Sequence, residues 1–289
     1  MVQSHRTAHI DGLDLFYREA GDPQAPSLVL LHGFPTSSLM YRTLIDELSD
    51  EFHLVAPDYP GFGHSSAPDP QDWDYTFDHL ADVVDALLDT LAVHHYALFV
   101  HDYGAPVGFR LAERHPERVT GIVSQNGNAY DVGLTPFWDP LRRWWDGTAT
   151  AADERALAGL TTREGTHWQY THGVPTDDLP LVDPGLETLD QALLDRPGIG
   201  DVQRALLADY GVNPDRYAGW QEYLRTHQPP VLAAWGRHDE IFGPDGARAF
   251  LRDVTDAQVH LLDAGHFPLT TRLAETAGLV RGFLRGLAA

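Results

Sequence analysis

The sequence predicts an α/β fold, a mostly parallel sheet with helices on both faces, interrupted by an inserted helical segment. Three observations lead there. Continuous apolar runs of strand length recur, as in "SLVLLH" (27–32) and "YALFVH" (96–101), the pattern of strands buried on both faces. Stretches with apolar residues at helical spacing lie between them, such as "FDHLADVVDALLDTL" (77–91), and strand–helix alternation builds parallel βαβ units. The alternation then stops over 130–225, a stretch rich in Trp, Tyr, Asp, Gly and Pro with no clear buried strand.

The elements follow in chain order. Residues 7–18 hold two short strands joined at "DG", a hairpin signal. After the strand 27–32 comes a Pro/Ser turn and the amphipathic "LMYRTLIDEL". "HLVAPD" (53–58) is a strand, followed by the loop "YPGFGHSSAPDPQD" and the helix 77–91. "YALFVH" leads into "APVGFRLAERH", a helix ending before Pro116, and "RVTGIVSQN" is again a strand. "PPVLAAWG" (229–236) resumes the pattern, "AQVHLLDAG" (257–265) supplies a last strand and "AETAGLVRGFLRGL" a last helix. The expected organisation is a core formed by 1–129 and 226–289, with 130–225 as a helical cap, or lid.

Composition narrows the function. The 289 residues carry a formal charge of −22, which disfavours nucleic acid and anionic membrane surfaces as partners. There is no Cys, so thiolate catalysis, disulfides and Cys-based metal sites are excluded. No apolar run reaches signal-peptide or membrane-spanning length, and the expected location is the cytoplasm. No metal or cofactor is implied. The expected partner is a small apolar or aromatic substrate, and the protein a monomer or homodimer.

Four motifs fall at strand ends, where open parallel sheets bind ligands. "HGFPTSS" begins at His32, and its Gly allows a tight turn that lets the Phe34 N–H face an oxyanion, paired with the Tyr103 N–H. "DYPGFGHSS" suits a supporting loop, although its glycines also fit ordinary turns. "VHDYGA" has the form of a strand–helix elbow with Asp102 at its tip, near a helix N-terminus whose dipole favours the anion. An aspartate before a helix is by itself an ordinary N-cap. The last pair, Asp239 in "WGRHDEIF" and His266 in "DAGHFPL", follows successive strands. The order nucleophile, acid, histidine favours Asp102 as the nucleophile.

With these motifs the chain resembles the α/β-hydrolase superfamily over nearly its full length. "HGFPTSS", "GFGHSS", "VHDYGA" and "DAGHF" are similar to its aspartate-nucleophile branch, the epoxide hydrolases and the haloalkane or haloacetate dehalogenases. The chemistry agrees. A carboxylate displaces a leaving group from saturated carbon and forms an alkyl ester. A histidine supported by Asp239 then activates water to hydrolyse it. Some relatives place the supporting acid after the strand that follows the nucleophile helix. Asn126 stands there, so Asp239 takes the role, with Asn126 a hydrogen-bonding helper or a plain loop residue.

The leaving group separates the readings. Haloalkane dehalogenases usually have Trp after the nucleophile, and haloacetate dehalogenases have Arg; here Tyr103 departs from both. An epoxide oxygen needs a proton donor on the lid, and the placement of Tyr210 resembles that of the ring-opening Tyr in smaller epoxide hydrolases, with Tyr217 as a fallback. Trp144, Trp145, His167 and Tyr170 are candidates for a second donor and for lining the substrate pocket with His32. The expectation is therefore an epoxide hydrolase. A dehalogenase with the same triad, Trp144 or Trp145 holding halide, is the main alternative. A non-catalytic ligand-binding member of the fold would not require all three triad residues. A serine esterase is disfavoured because no elbow surrounds Ser37 or Ser38.

Overall fold

The computed structural model describes residues 2–287. A hairpin opens the chain, β1 (Ser4–Ile10) and β2 (Leu13–Ala20). Its turn residues Asp11 and Gly12 have φ of +48° and +83°, the left-handed pair that a two-residue hairpin turn requires. There follow β3 (Ser27–Leu31), α1 (Arg42–Leu48), β4 (His53–Pro57), α2 (Phe77–Thr90), β5 (Tyr96–His101), α3 (Gly104–Arg114) and β6 (Val119–Gln125). The next stretch forms helices α4 (Asp139–Trp145), α5 (Ala151–Gly159), α6 (Arg163–Thr171), α7 (Pro184–Leu194), α8 (Ile199–Tyr210) and α9 (Asn213–His227), with no strand among its residues. The chain then returns to the sheet with β7 (Val231–Gly236), α10 (Pro244–Ala249), β8 (Gln258–Leu262), α11 (Pro268–Thr271) and α12 (Leu273–Leu287).

The eight strands form one sheet in the order β1-β2-β4-β3-β5-β6-β7-β8. β2 pairs antiparallel with both neighbours, and every pairing from β4 to β8 is parallel. The apolar runs alternate between two cores. Val29, Leu31, Leu98 and Val100 pack on one face with α2 and α3. Leu28, Leu30, Ala97 and Phe99 pack on the other with α1 and α12. Fully burying such a side chain stabilises by about 1.5–3 kcal/mol, so a one-residue slip would misplace both layers together.

The inserted helices are fastened to the core by polar and aromatic contacts. Asp209 of α8 accepts the Phe77 N–H that opens α2, at 2.7 Å. Arg110 of α3 bonds Asp78 at 2.7 Å and Asn213 of α9 at 2.8 Å, while Phe109 and Trp220 stack with centroids 5.3 Å apart. Among the described residues, no helix is long and apolar enough to cross a membrane.

Candidate active site

Five strands deliver the candidate residues to one edge of the sheet. His32–Phe34 directly follow β3, Asp102 follows β5 and Asn126 follows β6, while β7 ends three residues before Asp239 and β8 four before His266. Asp102 has φ +50°, a left-handed conformation that costs a non-glycine residue roughly 1–3 kcal/mol and persists only when the surroundings enforce it. The enforcement is visible on both sides of it. A Cβ on Gly104 would lie 2.0 Å from the Leu31 carbonyl oxygen, and one on Gly33 would lie 2.3 Å from the Asp102 carboxylate. Two glycines thus let α3 and the β3 loop close around a single side chain.

The Asp102 carboxylate is held by the loop expected to stabilise an oxyanion. The Phe34 N–H donates to Oδ1 at 2.7 Å, and the Tyr103 N–H bonds the same carboxylate. Oδ2 lies 3.9 Å from Nε2 of His266, which has no hydrogen-bond partner among the described residues. On its other side, His266 donates through Nδ1 to Oδ2 of Asp239 at 2.9 Å. The remaining Asp239 bonds come from the Ile241 N–H to Oδ1 and from Asn126 Nδ2 to Oδ2, both at 2.7 Å. Asn126 also accepts the Gly236 N–H at 3.0 Å. Of its two sequence readings, the structure selects the hydrogen-bonding helper.

Burial sets the electrostatics. Asp102, Asp239 and His266 are each at most 5 % exposed. Burial pushes the Asp102 carboxyl up to about 6, against the charge of His266 and the two backbone N–H donors. The helix N-terminus alone would have predicted a lowered value; desolvation outweighs it. Burial disfavours the His266 imidazolium as well, but the charges of Asp239 and Asp102 more than compensate, and its pKa is raised.

Aromatic side chains close the space above Asp102. The Tyr210 ring lies 5.6 Å from Tyr103 and 5.5 Å from Phe77, and stacks on Trp138 at 4.5 Å. Trp138 meets Phe242 at 5.2 Å, and Phe242 lies 6.1 Å from His266. The Tyr210 hydroxyl pairs with that of Tyr217, which also accepts from Asn128 Nδ2 at 3.2 Å. Burial, followed by these neighbours and by Asp102, raises the Tyr210 pKa, which keeps the hydroxyl protonated.

The other expected lining residues are spread around this centre. His32 is fully buried beneath the oxyanion loop. Its Nδ1 faces the Gly33 carbonyl oxygen at 3.1 Å and its Nε2 accepts the Tyr59 N–H at 3.3 Å; burial lowers its pKa to about 4, so it is a neutral brace. His167 is exposed and pairs with Glu187. Tyr170 donates to Asp190 and stacks on Phe267, whose ring lies 4.8 Å from that of His266. Trp144 is half-buried under Arg204. Trp145 stacks on Tyr210 at 6.2 Å and lies 6.1 Å from Trp138, with its N–H bonded to the Leu207 carbonyl oxygen at 2.9 Å. Trp138 and Phe242 were missed; Phe242 ends the "HDEIF" motif, whereas no spacing distinguishes Trp138 from its two neighbouring tryptophans. Among the described residues no group of three or more His, Asp or Glu is arranged to hold a metal ion.

A doubly covered parallel sheet with an elbow, an acid and a histidine at its strand ends defines an α/β-hydrolase. The chain matches the α/β-hydrolase fold family over residues 26–273 and belongs to it. It is 43% identical over 280 residues to an uncharacterized hydrolase of Saccharomyces cerevisiae, covering 96% of this chain and 95% of the relative. It is 40% identical over 222 residues to haloalkane dehalogenase 1 of Mycobacterium tuberculosis, covering 75% and 69%. The crystal structure of a loop variant of a haloalkane dehalogenase from Bradyrhizobium elkanii superposes with a TM-score of 0.76 at 21% identity, over 100% of this chain and 98% of that one. At that identity the likeness concerns the fold.

Proposed function

We propose that the protein hydrolyses an epoxide to a vicinal diol in two steps. Oδ2 of Asp102 attacks a ring carbon, the C–O bond breaks, and Tyr210 gives its proton to the departing oxygen. The product is an alkyl ester on Asp102. A water, its proton taken by Nε2 of His266, then attacks the ester carbonyl. The Phe34 N–H already holds Oδ1, the oxygen that becomes the oxyanion, and the Tyr103 N–H bonds the same carboxylate, a contribution of roughly 3 kcal/mol per donor in comparable acyl chemistry. Collapse of the tetrahedral intermediate breaks the ester C–O bond, the departing diol oxygen takes up the second water proton, and the proton held by His266 returns to the Tyr210 phenolate, so the carboxylate, imidazole and phenol are all restored.

The first step prepares the base for the second. The Asp102 charge is one cause of the raised His266 pKa. Esterification removes that charge, so the imidazole loses its proton more readily when a base is required.

The observation that carries the epoxide reading is the Tyr210–Tyr217 hydroxyl pair, with the Tyr210 ring packed 5.6 Å from that of Tyr103, the residue after Asp102. A phenol can transfer a proton, whereas an indole N–H only donates a hydrogen bond. The indole N–H groups of Trp138 and Trp145 are already bonded to the Ile241 and Leu207 carbonyl oxygens, which weakens the case for a halide cradle. The second reading, dehalogenation through the same ester, is supported by the 40% identity to a haloalkane dehalogenase.

A mixed panel of aryl and alkyl epoxides, haloalkanes and haloacetates, assayed for diol and free halide in the same wells, separates the two. Diol without halide is expected, lost in Asp102→Ala and slowed about 100-fold or more in Tyr210→Phe. Halide without diol would replace the epoxide reading with the dehalogenase.

A further inference from the structure

A small cavity beside the oxyanion loop is lined by two side chains with buried polar atoms that no group among the described residues bonds. Pro35 and Thr36 form one wall, directly following Phe34, and Gly61 to Gly63 form a second; Arg196 and Gln203 belong to the inserted segment. Gln203 is 0 % exposed, and neither its amide nitrogen nor its oxygen has a hydrogen-bond partner among the described residues. Nη2 of Arg196 is buried and equally unpaired, although its Nε donates to the Leu193 carbonyl oxygen at 3.0 Å. A buried polar group without a partner costs free energy, and two at one small cavity mark a place built to receive something.

The donors, the acceptor and the surrounding charge say what fits. Arg196 only donates, whereas the Gln203 amide both donates and accepts. Asp58 stands immediately behind the Gly63 wall: a Cβ on Gly63 would fall 1.9 Å from its Oδ2. Both Asp58 oxygens accept hydrogen bonds, from the Ser38 and His64 N–H groups, so this side of the cavity is lined by acceptors and disfavours an anion. The space measures about 10 Å³, room for one water-sized group. A hydroxyl meets every condition. It accepts from Arg196 Nη2 and Gln203 Nε2 and donates to Gln203 Oε1.

The position ties the cavity to the chemistry. Thr36 is two residues from Phe34, so the wall lies within about 8 Å of the oxyanion donor along the chain. Gln203 and Tyr210 are seven residues apart on α8, two turns along one helix face and roughly 10 Å.

We propose that this cavity is a specificity subsite for a hydroxyl carried by the substrate several carbons from the reacting centre. The inference rests on the proposed reaction for which end of the substrate is attacked, but the hydroxyl preference can be read without turnover. Quenching of tryptophan fluorescence by unreactive alkanols of four to ten carbons is compared with that of their methyl ethers, which accept but cannot donate. In parallel, kcat/KM is measured for epoxyalkanes ending in hydroxyl or in methyl, at matched length.

The alcohol is expected to bind at least tenfold more tightly than its ether at one preferred length, with a similar preference in kcat/KM. Gln203→Leu and Arg196→Met, on separate elements, each bring the ratio close to one; either folded variant suffices. Alcohol preference lost in the variants, with no epoxide turned over, would keep the subsite and discard the proposed reaction. Epoxide turnover with equal binding of alcohol and ether would keep the reaction and show the cavity to be a water site only, overturning the inference. A preference that persists in both variants would also overturn it.

Discussion

Replacing Asn126 with alanine removes two buried hydrogen bonds at once. Its Nδ2 donates to Asp239 Oδ2 at 2.7 Å, and its Oδ1 accepts the Gly236 N–H at 3.0 Å. A hydrogen bond to a charged group contributes about 1.5–3 kcal/mol, and the N–H left unpaired costs about 1–3 kcal/mol. The backbone adds to this: φ is +52°, where asparagine is tolerated and alanine costs roughly 1 kcal/mol. Taken near the lower ends, the loss is about 4 kcal/mol, or roughly 8–16 °C in Tm for a chain of this size. The effect on chemistry falls mainly on the second step, because Asp239 orients His266. Ester breakdown should slow about tenfold or more. Thermal melts followed by circular dichroism and single-turnover kinetics read the two effects separately. A Tm within about 2 °C of the parent together with unchanged ester breakdown would refute the role given to Asn126.

Two further predictions concern pH. Alkylation requires the Asp102 carboxylate, and burial holds this carboxyl at about 6; kcat/KM should therefore fall as pH drops through about 6, and a profile flat down to pH 4.5 would contradict the burial argument. Asp190 is pushed up to about 7 by burial, against the opposing hydrogen bond from Tyr170. Its folded-state pKa is above the unfolded value, so its neutral form favours the fold and that contribution declines as pH rises from about 4 to about 7. Asp190→Asn removes this dependence, so its Tm should gain on the parent between pH 5 and pH 8; parallel curves would count against the raised pKa.

The parts of the site legible in the sequence are those that strands carry. Asp102, Asp239 and His266 each follow a buried apolar run closely, and local motifs fix their positions at the strand ends. Asn126 was equally visible as a position, but its partners Asp239 and Gly236 are distant in sequence, so helper and loop residue were indistinguishable. The inserted helices were least legible. Trp138, Trp144 and Trp145 share one short aromatic segment, and which of them meets Tyr210 depends on how that segment packs against α8 rather than on any repeat. The Asp102 acidity was misleading for a related reason: the helix N-terminus is visible in the sequence, whereas the depth of burial that overrides it is not. His32 belongs to a motif at the site, yet its ring is spent on the Gly33 and Tyr59 backbone.

A covalent ester at Asp102 is the central step of the proposed reaction, and intact-protein mass spectrometry of His266→Gln tests it directly. Without the imidazole the first step proceeds and the second stalls. After incubation with an epoxide substrate, the protein mass should rise by the full mass of that epoxide, peptide mapping should place the adduct on Asp102, and Asp102→Ala/His266→Gln should remain unmodified. Consumption of substrate by His266→Gln with no adduct at any time point, or an adduct elsewhere, would contradict the two-step mechanism.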